Sequence, residues 1–119
     1  MKTFTKIANF TAALLACGTV RAQFLNTATG SQALASDTTG SYNTADGYQA
    51  LFSNTTGDGN TAAGAYALYA NTTGSNNTAT GVGALTANTT GNYNTATGPY
   101  TLRFNTTGSY ATATGYGAL

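Results

Sequence analysis

The amino-acid sequence predicts an all-β fold, a parallel β-roll or β-solenoid wound from 17-residue coils, and three observations lead there. From Asn26 the chain repeats at a strict spacing of seventeen, with copies starting at Asn26, Asn43, Asn60, Asn77, Asn94 and Ala111 and no insertion between them. Fixed periods of this kind mark solenoids and stacked arrays. Each copy holds two consensus glycines and a single fixed Leu (Leu34, Leu51, Leu68, Leu85, Leu102, Leu119), too little apolar surface and too short a unit for a packed helix pair. The Thr27, Ala28, Gly30 and Leu34 columns never change, whereas Ser31, Tyr48, Ala65, Val82, Pro99 and Tyr116 share one column, which must therefore face solvent or a forgiving partner.

The consensus N-T-A-x-G-x-x-A-L-x-x-N-T-T-G-x-x predicts two short strands and two turns per coil. One strand carries N-T-A-x-G and the second runs through x-A-L-x-x. The N-T-T-G segment is a turn in which Gly accepts a positive φ and Asn or Thr bonds the local backbone. Alternation places Thr27 and Ala28 on opposite faces, so that Ala and the glycines Gly30, Gly47, Gly64, Gly81, Gly98 and Gly115 line a narrow interior. Coils stacked about 4.8 Å apart give a rod on the order of 25 to 30 Å long. In-register stacking aligns identical side chains into ladders, and Asn or Thr ladders satisfy one another from coil to coil. The Leu seam is thin for an isolated chain, which favours a core shared with other copies.

Ahead of the repeats lies a segment with the pattern of an export signal. The basic "MKTFTK", the apolar "IANFTAALLACGTV", too short to span a bilayer, and "VRA" before Gln23 divide the chain into a signal peptide, 1–22, and a repeat array, 23–119, with cleavage between Ala22 and Gln23. Cys17, the sole cysteine, then leaves with the signal. An alternative stays open: "LLAC" also matches a lipobox, in which Cys17 becomes the lipidated first residue.

Composition excludes several function classes. Three of the four basic residues, Lys2, Lys6 and Arg21, precede the array, which leaves it no electrostatic footprint for nucleic acid. Eight Tyr and five Phe argue against disorder. No His is present, and Asp37, Asp46 and Asp58 fall one per early copy rather than as a convergent pair, so neither catalysis nor a cofactor nor a small-molecule substrate is expected. Asp37 occupies a column otherwise filled by Asn and reads as a turn residue. "TTGDGN" at Thr55 to Asn60 lacks the repeated aspartates of a calcium-binding solenoid, so no metal is expected. Asn54, Asn71, Asn88, Asn105 and Asn76 match the glycosylation pattern, which the turn's demand for Asn explains.

The copies of A-x-G-x-x-A-L followed by N-T-T-G-x-x-N-T-A resemble the head repeats of YadA-like trimeric autotransporter adhesins and related repeats of bacterial surface and tail-fibre-like proteins. The resemblance covers Asn26 to Leu119. It implies a left-handed roll, a homotrimer, and display at the bacterial cell surface or secretion, with host or matrix molecules as partners. The family's repeat is shorter and richer in Val and Ile. Neither the stalk and barrel anchor of such adhesins nor the chaperone domain of the fibres follows, and the chain stops nine residues into its sixth copy, which reads as a portion of a longer protein or a truncated product.

Two functions from different classes follow. One is a non-enzymatic structural or adhesion module acting by multivalent contacts, with Phe52 and Tyr69, in the column that Arg103 shares, as an exposed contact stripe. A tail-fibre shaft is a variant of it. The other is an ice-binding solenoid, in which Thr27 with Thr29, Thr78 with Thr80, Thr95 with Thr97 and Thr112 with Thr114 stack as paired rows that Asp46 and Ala63 interrupt. Arg103, Phe104, Thr101 and Pro99 make copy five locally irregular.

Overall fold

The computed structural model describes residues 25–119 in full and Thr5–Ile7 by backbone alone. The Ala22–Gln23 cleavage site and the Cys17 alternative lie outside the described residues. Seven three-residue strands form one sheet in sequence order: β1 (Thr5–Ile7), β2 (Thr27–Thr29), β3 (Thr44–Asp46), β4 (Thr61–Ala63), β5 (Thr78–Thr80), β6 (Thr95–Thr97) and β7 (Thr112–Thr114). β1 runs antiparallel to β2, and β2 to β7 are parallel with each residue opposite its counterpart seventeen positions on, Thr27 on Thr44 and Ala28 on Ala45. The described repeats are thus a β-solenoid of about five turns.

Only one strand forms per coil, not two. The second expected strand, through x-A-L-x-x, is replaced by a left-handed corner in which Gln49 and Leu51 take φ of 55° and 50°, and the same two positions repeat at Tyr66 and Leu68. The reason is side-chain direction. A strand alternates its faces, yet Ala50 and Leu51 are neighbours and both are fully buried. A left-handed Leu costs roughly 1–2 kcal/mol relative to ordinary backbone, against roughly 2–3 kcal/mol from burying its side chain. Coil-to-coil bonding survives the corner, since Leu51 N–H donates to Ala67 O at 3.0 Å and Leu68 N–H to Ala84 O at 3.0 Å.

Inside the strands the expected alternation holds. Ala45, Ala62, Ala79 and Ala96 point inward, while the flanking residues of β3 and β5 are exposed. With Ala50, Ala67 and Ala84 and the ladder Leu34 to Leu102 they make a thin apolar core. Leu119 does not extend that ladder: it is 93% exposed, with no described coil above it. Copy five carries Thr101 in the inner Ala column, and its buried hydroxyl donates to the Gly115 carbonyl.

Polar side chains complete the interior. Asn43, Asn60, Asn77 and Asn94 form one buried column; Asn54, Asn71 and Asn88 form another. In the first, Asn43 Oδ1 accepts from the Asn60 N–H at 2.9 Å and from Asn60 Nδ2 at 3.2 Å, and Asn60 Oδ1 treats Asn77 alike. In the second, Asn71 Nδ2 donates to Asn54 Oδ1 at 2.9 Å and Asn88 Nδ2 to Asn71 Oδ1 at 2.8 Å. The columns meet at the turn glycine: Gly74 O accepts from Asn60 Nδ2 at 2.8 Å and from Asn71 Nδ2 at 2.9 Å. Among the described residues no buried side-chain nitrogen or oxygen lacks a partner.

That convergence corrects the reading of the N-T-T-G glycine. Gly57 and Gly74 are absent from the positive-φ residues. Their requirement is space, because a Cβ on Gly57 would run into the Gly74 carbonyl oxygen and Asn54 Oδ1. Positive φ belongs instead to the glycine after the strand, 136° at Gly64, where a Cβ would also sit 2.6 Å from Gly81 O.

Leu68→Ala should lower the unfolding free energy by about 2–5 kcal/mol in chemical denaturation, since Leu68 is fully covered by neighbouring coils. Gly64→Ala should destabilise more than Gly115→Ala, because both have positive φ but a Cβ at Gly115 meets nothing within 4 Å. Equal melting shifts for the two would refute the close-approach account.

Candidate functional surfaces

The described coils expose three kinds of surface. The outer face of the strands presents Thr44, Thr61, Thr78 and Thr112 in one exposed row and Asp46, Thr80, Thr97 and Thr114 in a second, with the less exposed Ala63 between them. Thr29 donates its hydroxyl to Asp46 Oδ1 at 2.5 Å, the one side-chain hydrogen bond along this face among the described residues. At the first threonine of the N-T-T-G turn the pattern is opposite. Thr55 Oγ1 donates to Thr72 O at 3.0 Å and Thr72 Oγ1 to Thr89 O at 3.1 Å, so these hydroxyls serve coil stacking.

Aromatic side chains make the second surface. Phe52 and Tyr69 lie on successive coils and stack at 5.3 Å with an interplanar angle of 11°. They are half-buried rather than exposed, because stacking covers one face of each ring and Tyr66 meets Tyr69 at 5.9 Å. The outward area of this patch belongs to Tyr66 and to Tyr48, edge-on to it at 5.4 Å, with 42% and 46% of their surfaces exposed. Sequence reasoning followed columns and so missed this pair, whose members sit in adjacent columns of successive coils, eighteen residues apart. A diagonal count of neighbours finds it. A separate stack joins Tyr93 and Tyr110 at 5.1 Å.

Copy five supplies a third patch. The Arg103 guanidinium lies 5.2 Å from the Tyr100 ring centre and 5.3 Å from that of Phe104, within cation–π range. Tyr116 stands edge-on to Tyr100 at 6.0 Å, and these residues line a shallow groove with Gly117 and Leu119. Of the substitutions that look irregular in sequence, Arg103 and Phe104 therefore belong to one surface cluster, while Thr101 is buried inside the coil.

The acidic residues stay apart and each holds backbone or side-chain donors. Asp58 Oδ1 accepts from the Ser41 N–H at 2.7 Å. Asp37 takes the place of Asn in the second buried column, accepting from Asn54 Nδ2 at 3.0 Å on Oδ1 and from Asn26 Nδ2 at 2.7 Å on Oδ2. No group of three or more His, Cys, Asp or Glu comes together among the described residues. The N-T-T asparagines 54, 71 and 88 are buried and Asn105 is half-buried, all with their amides engaged, which leaves Asn76 as the exposed one of the five matches to the glycosylation pattern. No helix of the described residues is long and apolar enough to cross a membrane.

The chain matches no family model, no curated protein and no solved structure.

Asp37 predicts a pH effect. Burial pushes its carboxyl up from the ordinary 3.8 to about 6, against the opposing pull of the Asn54, Gly40 and Asn26 donors and with a further push from the Asp58 charge. A raised folded value means that folding favours the protonated form. The stabilisation is full below pH 3.8 and lost as pH rises through about 6. Melting temperature should fall between pH 4 and pH 7 by more in the wild type than in Asp37→Asn; the same slope in both would exclude Asp37 as the source.

Proposed function

We propose that this chain is a non-enzymatic structural and adhesion module, secreted or held at a cell surface, whose coils repeat a contact surface along a rod. One observation carries the reading. Buried polar side chains are consumed in holding coil to coil, while the outward side chains repeat in rows or join as aromatic patches. Such a surface suits many weak contacts made at once, and avidity grows with the number of coils engaged. Tyr48 and Tyr66 supply the principal contact area, with Phe52 and Tyr69 as the rigid platform behind them.

The resemblance to YadA-like head repeats supports the same reading, and host or matrix molecules are its partners. Homotrimer assembly is part of the proposal, in a particular form. Leu51, Leu68 and Leu85 are already fully covered within one chain, so trimer contacts would join outer faces rather than share a core.

Adhesion of the purified mature chain to matrix-coated and abiotic surfaces tests the proposal, alongside light scattering for assembly. Tyr48→Ser with Tyr66→Ser should weaken adhesion about tenfold, the equivalent of roughly 1.4 kcal/mol, at unchanged circular dichroism. Wild-type chain that adheres to none of these surfaces would sink the proposal.

A further inference from the structure

The first row of the strand face calls for a separate explanation, because it is threonine in every copy without any internal need for it. Thr27, Thr44, Thr61, Thr78, Thr95 and Thr112 repeat without exception, yet the hydroxyls of Thr44, Thr61, Thr78 and Thr112 make no hydrogen bond within the described chain. Strand preference asks only for a β-branched or aromatic residue at such positions. The adjacent exposed column, by contrast, accepts Ser31, Tyr48, Ala65, Val82, Pro99 and Tyr116. The first turn threonines use their hydroxyls for stacking, whereas Thr56, Thr73 and Thr90 are exposed on the turn; what sets the strand threonines apart is that they lie in register on one sheet face.

We infer that this face is an ice-binding surface. Parallel, in-register pairing from β2 to β7 sets successive Thr rows at the strand spacing of about 4.8 Å, and residues two apart on one strand lie roughly 6.7 Å apart. Both spacings are close to the oxygen repeats on a prism face of hexagonal ice. A partner that is itself a two-dimensional lattice is what a grid of one residue type fits; a single ligand would need converging, dissimilar groups. Threonine suits the task physically. Its χ1 is stiff, so little side-chain freedom is lost on binding, its hydroxyl continues a water network, and its methyl fills the space between waters. Apart from Asp46 the described face carries no charge that would hold water in a different order.

Two residues interrupt this face. Asp46 and Ala63 are the breaks in the second row, and Asp46 also draws the Thr29 hydroxyl toward itself. The activity therefore resides mainly in the unbroken first row and in β5 to β7, and it improves when the second row is repaired.

The experiment uses the purified mature chain in a nanolitre osmometer and an ice-recrystallisation assay, with circular dichroism and melting as controls of folding. Wild type should facet growing ice crystals and show thermal hysteresis. Asp46→Thr with Ala63→Thr should raise the hysteresis, and Thr61→Tyr with Thr78→Tyr, compatible with an exposed strand, should abolish it. Folded wild type that leaves ice unshaped overturns the inference, as does hysteresis that survives the Tyr pair or binding confined to crystalline chitin or cellulose. The adhesion reading rests on Tyr48 and Tyr66, outside the strands, so the Tyr48→Ser and Tyr66→Ser pair should leave ice activity intact and the two readings fail independently.

Discussion

The carbonyl of the turn glycine, receiving an amide from each of two asparagine columns, is the interaction on which the rest of this structure depends. Gly74 O binds Asn60 and Asn71, and Gly57 O likewise binds Asn43 and Asn54. A thin coil has no room for a broad apolar interior, and its core is largely Ala with one Leu per turn. Primary amides solve this by being bonded within the coil and to the next one at the same time. Each is a buried polar group with its partners supplied, the condition under which burial of polarity rigidifies rather than destabilises. The lack of a side chain on the glycine follows from the same crossing, since any Cβ would displace the amides.

From that arrangement come both the regular register and the low tolerance for change. A coil shifted by one residue would put Thr or Ala where Asn must be and leave carbonyls unanswered. Exposed columns escape the constraint, which is why the column of Tyr48 drifts while the column of Asn60 keeps Asn from Asn26 to Asn94 and changes only at Ala111. Aromatic patches arise where such drift places rings on neighbouring coils, as with Phe52 over Tyr69 and Tyr100 beside Tyr116.

Much of this was legible in the residues. The period yielded the solenoid, strand alternation yielded the inward Ala column, and the Asn ladders were expected from in-register stacking. What escaped had a local cause in each case. Two adjacent fixed apolar residues, Ala50 and Leu51, already conflict with a strand, but a β-branched-free Leu at positive φ is an unusual resolution that propensity does not suggest. The turn glycine was assigned a conformational role because sequence shows what a glycine permits, whereas the crowding at Gly57 comes from residues a full coil away. Half-burial of Phe52 and Tyr69 depended on the rings' mutual orientation, which columns do not record. The Thr rows were visible at once, but which threonine hydroxyls hold the next coil, Thr55 and Thr72, and which stay idle, Thr44 and Thr61, became visible only in three dimensions.

The amides of the second column all point the same way: Asn54, Asn71, Asn88 and Asn105 each donate toward the preceding coil. Their dipoles therefore add head to tail, with the positive end at the first coil. An acid is the natural terminus for such a row, as it is at the N-terminus of a helix, and Asp37 stands there in place of asparagine. A chain with a formal net charge of only +1 thus carries a built-in electrical direction along its axis, so that its two ends are not interchangeable to anything that senses field rather than shape.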